Sequence, residues 1–178
     1  MAMVDDGSGL SRGARGQGGA VVRRREFTAL TLVPGGAAGA PLLLDEPLSF
    51  WGGLDPVCGA IIDRRHPQLG LNVAGRMLMM PAGRGSSGGS AILAEALRLG
   101  KGPAGILMLE RDAIVVVGAM VAAELYGCAC PVALASGRDW PALAAAARLI
   151  MRAEPGGATI SPELCAPDAP QAGRKLRR

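Results

Sequence analysis

Arg76-Met77-Leu78-Met79-Met80-Pro81-Ala82-Gly83-Arg84-Gly85-Ser86-Ser87-Gly88-Gly89-Ser90-Ala91-Ile92-Leu93 is the stretch on which the fold turns. Its opening run to Met80 is apolar at successive positions, as in a strand buried on both faces. The loop Ala82–Ser90 then concentrates glycine and serine. A helix follows, with Ile92, Leu93, Ala96, Leu97 and Leu99 on one face and Gly100 as its stop.

Downstream the pattern repeats. Gly105–Leu109 is a second apolar strand, and Ile114–Tyr126 reads as a helix ended by Gly127. Its β-branched start and Gly118 weaken the helical signal. Val132–Leu134 is a third strand after Pro131, and the Ala-rich Trp140–Arg152 reads as a third helix. Strands alternating with helices imply a parallel sheet with crossover connections.

Upstream the chain is different. Phe27–Val33 alternates weakly as a strand, until Pro34-Gly35-Gly36 interrupts it. Leu42–Leu44 and Ile61-Ile62 are short strands, and Asp45–Gly53 is a loop carrying the pair Phe50-Trp51. The aromatic pair is expected either to face a partner or to plug the core. The expected class is α/β, a β/β/α or β/α sandwich with a β-rich N-terminal part. Residues 1–25 read as a flexible leader, 26–152 as the globular domain and 153–178 as a flexible basic tail.

Apolar residues make up 49% of the chain and aromatic residues 3%, so the core must be built from aliphatic side chains and Met. The net charge of +4 resides in the ends. Arg12, Arg15, Arg23, Arg24 and Arg25 outnumber the acids of the leader, and Arg174, Lys175, Arg177 and Arg178 close the tail. The body between is slightly acidic and lacks the basic face that a phosphate backbone requires, so no nucleic-acid partner is expected. Arg24-Arg25-Glu26-Phe27 has the look of a twin-arginine export signal, but the apolar run behind it is too short. No stretch approaches the length of a membrane helix. A cytoplasmic protein with reduced thiols is expected. Cys58, Cys128, Cys130 and Cys165 form no paired Cys-x-x-Cys knuckles, so no metal site is expected in this chain.

Gly83-Arg84-Gly85-Ser86-Ser87-Gly88-Gly89-Ser90 is the strongest functional signal. Glycines let a backbone approach a ligand, and a helix start presents free N–H groups and the positive end of its dipole. Such a place takes an anion. A P-loop is excluded because Gly89, not Lys, precedes Ser90. Three readings stay open. Gly83-x-Gly85-x-x-Gly88 with Glu110 beyond the next strand has the spacing of a dinucleotide fingerprint, which would make the chain a nucleotide-binding module. A serine could act as a base, its hydroxyl acidified by converging N–H donors. Finally, a serine could be a plain helix cap. Arg84 could pair a substrate carboxylate bidentately. His66, expected to be exposed between Arg65 and Pro67, could contact substrate or partner alongside Arg64.

Four stretches resemble the aconitase X swivel-domain family: Leu42 to Pro56, Ile61 to Pro67, Pro81 to Ser90, and Glu124-Leu125-Tyr126-Gly127 with Pro131-Val132. The resemblance covers about residues 27–135 in the family's order and spacing. It implies an aconitase-like swivelling β/β/α domain, the small subunit of a hydro-lyase that is active only with a large partner. That partner carries an iron–sulfur cluster or iron, the metal acting as a Lewis acid on the leaving hydroxyl. The resemblance further implies Ser86 as the base, with Ser87 and the N–H groups of Gly85 and Gly88 holding the alkoxide or a substrate carboxylate. The substrates it implies are hydroxy acids: cis-3-hydroxy-L-proline, favoured by the composition, or 5-phosphomevalonate. Gly88-Gly89 stands where many relatives carry more Ser, which makes Ser90 a weaker candidate.

Overall fold

The computed structural model describes residues 25–164. The deciding run folds as expected of a strand buried on both faces. Elements in chain order are β1 (Phe27–Val33), β2 (Gly35–Gly39), β3 (Pro41–Leu43), β4 (Leu48–Ser49) and a short kinked turn α1 (Phe50–Gly53), followed by β5 (Met77–Met80) and β6 (Gly83–Arg84). Then come α2 (Gly88–Arg98), β7 (Gly105–Met108), α3 (Ala113–Tyr126), β8 (Val132–Leu134), α4 (Trp140–Ala144), β9 (Arg148–Glu154) and β10 (Gly157–Glu163).

Eight strands form one sheet in the order β2-β9-β10-β1-β8-β7-β5-β3. The β3, β5, β7 and β8 neighbours are parallel, with α2 and α3 as the crossovers between β5, β7 and β8. The remaining pairings are antiparallel. All four side chains of β5 are fully buried, and they divide by parity. Leu78 and Met80 pack with Leu93, Ala96 and Leu97 of α2 and with Val115 and Ala119 of α3. Met77 and Met79 join Leu107, Leu143, Met151 and Ile160 on the opposite face. Burying such a side chain contributes about 1.5–3 kcal/mol each, so the apolar run is explained by two covered faces. The sheet curls until it nearly closes. A methyl added at Gly105 of β7 would stand 3.0 Å from the Cβ of Ala37 in β2 and 2.8 Å from Cε of Met151 in β9.

α2 and α3 lie side by side. Asp112 caps α3, its Oδ1 accepting from the N–H groups of Ile114 at 2.8 Å and Val115 at 3.0 Å. Gly127, at φ 66°, ends it in the left-handed conformation.

Several expectations are corrected. Trp140–Arg152 is not one helix: helix stops at Ala144 and β9 begins at Arg148. Leu149, Met151 and Ala153 are buried at every second position, and that alternation overrides the helix propensity of the alanines. The expected tail from 153 is sheet as far as Glu163. β10 lies between β9 and β1, and Pro155-Gly156 is the two-residue loop of a hairpin in which Glu154 pairs with Gly157. Pro34-Gly35-Gly36 does not end the β structure, because Gly35 starts the edge strand β2. Ile61-Ile62 makes only an isolated bridge, Ile61 to Leu54. The expected leader, apart from Arg25, and the residues after 164 lie outside the described residues.

Candidate functional site

After β5 the chain does not pass straight into α2. It first forms β6, which pairs in parallel with β4, setting Leu48 opposite Gly83 and Ser49 opposite Arg84. The Cα of Gly83 faces Asp112, where a Cβ would fall 2.5 Å from Oδ2. The start of the loop is thereby locked to the start of α3. Gly85 then turns the chain at φ 112°, with Ser49 Oγ where a side chain would have to go. Ser86 and Ser87 follow, both exposed, and α2 begins at Gly88.

Neither serine caps the helix. Ser87 occupies the cap position without a side-chain hydrogen bond. The loop is held by its backbone instead: the carbonyl of Ser86 accepts from Gly89 N–H at 2.9 Å, and that of Ser87 accepts from Ser90 Oγ at 2.7 Å. The N–H groups of Ser86, Ser87 and Gly88 have no backbone partner among the described residues. Free donors and two free hydroxyls thus converge at the positive end of an 11-residue helix.

Arg84 Nη2 donates to Asp63 Oδ2 at 2.9 Å. Asp63 Oδ1 accepts from Arg65 N–H, also at 2.9 Å, so one carboxylate ties the loop of Arg64 and Arg65 to β6. Arg64 is exposed beside it. His66 departs from expectation: it is 3% exposed. Its Nδ1 accepts from Gln68 N–H at 3.1 Å, and Nε2 lies 3.3 Å from the Glu46 carbonyl, which selects the Nε2–H tautomer. Both nitrogens are committed to pinning two loops together, and the ring does not face the serines' solvent. The structure therefore brings Arg84, Gly85, Ser86, Ser87 and Gly88 together with Arg64 nearby, and sets His66 apart.

The aromatic pair divides. Phe50 is buried in the core at 2% exposure, whereas Trp51 is 60% exposed. The benzo ring of Trp51 covers the start of α2, because a Cβ on Gly88 would meet its Cε3 at 2.9 Å. Ser49, Trp51 and Asp63 were not among the site residues expected from the sequence. No local pattern reports that they touch Gly85, Gly88 and Arg84, since those contacts are tertiary.

A dinucleotide fingerprint needs its first glycine in the turn that leads directly from strand to helix. Gly83 sits instead within β6, so the spacing is not realised in space. Among the described residues no three His, Cys, Asp or Glu side chains lie close enough to hold a metal ion. Cys58 is exposed on a loop and bonded to Asp55, Cys128 is half-buried, and burial pushes the Cys130 thiol up to about 12. Such a thiol stays protonated at neutral pH. No helix of the described residues is long and apolar enough to cross a membrane.

Fold and site together define an α/β domain that presents a glycine–serine loop at a helix start, at the rim of a nearly closed sheet. The chain belongs to the aconitase X swivel-domain family, whose model matches residues 26–158. It is 48% identical over 103 residues to a Pseudomonas aeruginosa protein named cis-3-hydroxy-L-proline dehydratase, covering 58% of this chain and 18% of that one. It is 39% identical over 88 residues to a phosphomevalonate dehydratase small subunit of Methanothermobacter thermautotrophicus, covering 49% of this chain and 67% of that one. The chain thus spans about a fifth of the hydroxyproline dehydratases it matches. Among solved structures it superposes on Thermococcus kodakaraensis aconitase X with a TM-score of 0.61 at 26% identity, covering 78% of this chain and 98% of that one.

Proposed function

We propose that this chain is the small subunit of an aconitase-X-type hydro-lyase and that Ser86 is its base. The observation that carries the reading is the uncapped, exposed serine pair at the start of α2, with N–H donors left free around it. A hydroxyl is a weak base until its alkoxide is stabilised, and preorganised donors at a helix start provide that stabilisation. Ser86 Oγ removes the proton from the carbon next to the substrate carboxylate. The C–H electron pair becomes the new C=C bond, and the hydroxyl on the neighbouring carbon leaves with its bonding pair as hydroxide; the proton given up as Ser86 returns to its alkoxide balances that hydroxide as one molecule of water. Ser87 and the N–H groups of Gly85 and Gly88 hold the alkoxide or the substrate carboxylate, with Arg84 and Arg64 as cationic neighbours. His66 serves the loop rather than the substrate.

Relatives named as small subunits support a large partner chain that supplies the remaining groups, the expected iron–sulfur cluster or iron among them. The outer face of α3, where Val117, Met120 and Leu125 are exposed, fits a chain that buries surface in an assembly. Free cysteines fit a cytoplasmic setting. The favoured substrate is cis-3-hydroxy-L-proline, on the 48% identity to a relative of that name. A second reading, 5-phosphomevalonate, rests on several small-subunit relatives at 34–42% identity.

The test is anaerobic turnover of cis-3-hydroxy-L-proline by this chain co-purified with its large partner. Ser86→Ala should lower kcat by about 10²-fold or more, the worth of a positioned base, while complex and fold persist. Undiminished turnover in that variant would remove the base assignment.

A further inference from the structure

Trp51 is the most exposed aromatic side chain near the loop, and its place is built rather than incidental. Phe50 anchors the turn in the core. Trp51 (φ −68°, ψ 114°) and Gly52 (φ 72°) both leave helical geometry, which swings the indole outward. Ser49 Oγ donates to the Trp51 carbonyl at 2.9 Å and itself stands against Gly85. The benzo ring rests on Gly88, where only glycine leaves room. Gly88 is two residues from Ser86, so their Cα atoms lie within about 7 Å of one another. What remains exposed is an electron-rich aromatic surface beside the start of α2, where Gly88 directly follows Ser87.

Such a face attracts a cation and disfavours an anion, because the ring quadrupole is negative above its plane. The candidate substrates differ in this respect. Both carry a carboxylate, but a hydroxyproline also carries a secondary ammonium next to the carbon that loses its proton. A phosphomevalonate carries only further negative charge. We infer that Trp51 is a specificity-determining residue: its indole face receives the ring ammonium of a zwitterionic cyclic amino acid and turns away polyanionic hydroxy acids. The inference rests on the hydroxyproline reading of the same site and deepens it by assigning a residue to the substrate's ammonium.

The test uses the complex with the large partner. Steady-state kinetics on cis-3-hydroxy-L-proline are compared for the unaltered protein, Trp51→Phe and Trp51→Leu. Inhibition by 3-hydroxytetrahydrofuran-2-carboxylate, the ring analogue with oxygen in place of the ammonium nitrogen, is measured alongside. Trp51→Leu should raise KM about tenfold, and Trp51→Phe less, since indole is the better cation acceptor. In both, kcat should stay within about threefold, because the proton transfer itself is untouched. Inhibition by the ether analogue should be unchanged. An unaltered KM in Trp51→Leu overturns the proposal. So does a parallel weakening of amine and ether ligands, which marks simple packing, or a variant that no longer co-elutes with the partner, which marks a docking anchor. Absence of turnover of cis-3-hydroxy-L-proline by the unaltered complex removes the hydroxyproline reading of the site, and this proposal with it. Turnover that is indifferent to Trp51 removes this proposal alone.

Discussion

Gly118→Ala sets two effects of opposite sign against each other. Gly118 lies in the middle of α3, where alanine is intrinsically better by about 1 kcal/mol. Its Cα, however, is pressed against α2. An added Cβ would stand 2.9 Å from the backbone carbonyl oxygen of Ser90 and 3.1 Å from both Cβ and Cδ2 of Leu93. Leu93 Cδ2 could rotate away, but the Ser90 carbonyl cannot move unless α2 moves. Overpacking of this kind costs about 1–3 kcal/mol. The steric term wins, and the net expectation is a loss of up to about 2 kcal/mol. For a domain of this size that corresponds to a fall in Tm of up to roughly 8 °C. Thermal and urea denaturation followed by circular dichroism measure it, with an unchanged m-value as the sign that stability alone has shifted. Gly36→Ala is the control, since nothing lies within 4 Å of a Cβ there, and it should leave Tm unchanged or slightly raised. A rise in Tm for Gly118→Ala would refute the reasoning, because it would mean that α2 and α3 separate freely. The displacement should also reach the serine loop, because Ser90 Oγ is bonded to the Ser87 carbonyl.

Asp112→Ala should cost about 1 kcal/mol, the worth of a helix cap, whereas Asp112→Asn should cost little because asparagine caps equally well; chemical denaturation of the pair checks this. Cys130 should resist a thiol-alkylating reagent at neutral pH while exposed Cys58 reacts, with mass spectrometry of the native and unfolded protein as the readout. The same thiol gives a signed pH dependence. Below pH 9.0 it is protonated whether the chain is folded or not, so it contributes no slope. Between 9.0 and about 12 only the unfolded chain ionises, and stability should fall by about 1.4 kcal/mol per pH unit from this group. Cys130→Ala should abolish that slope in alkaline denaturation.

The sequence by itself determined the parts whose signal is local. The run ending at Met80 could only be a strand covered on both sides, and the spacing of Leu93, Ala96 and Leu97 could only serve a helix packed along one face. The loop between them had to be a site of unusual backbone, and four dispersed motifs carried the resemblance to the family. Only the tertiary structure decided the rest. Trp140–Arg152 has the alanine content of a helix, yet β9 starts inside it, because a place between β2 and β10 in the curled sheet rewards alternate burial of Leu149, Met151 and Ala153 more than alanine propensity rewards a helix. Pro155 and Gly156 read as the start of a tail and are a hairpin loop, since nothing local distinguishes a turn from an end when the returning strand is short and polar in part. His66 looked exposed between an arginine and a proline, and is buried because two distant groups, the Glu46 carbonyl and the Gln68 N–H, meet its two nitrogens. Ser49, Trp51 and Asp63 reach the serine loop only because β4 pairs with β6 across more than thirty residues of chain. Local chemistry is written in neighbours along the chain; the wall, the tether and the backing of this site are written in neighbours across it, and those exist only once β4 has paired with β6.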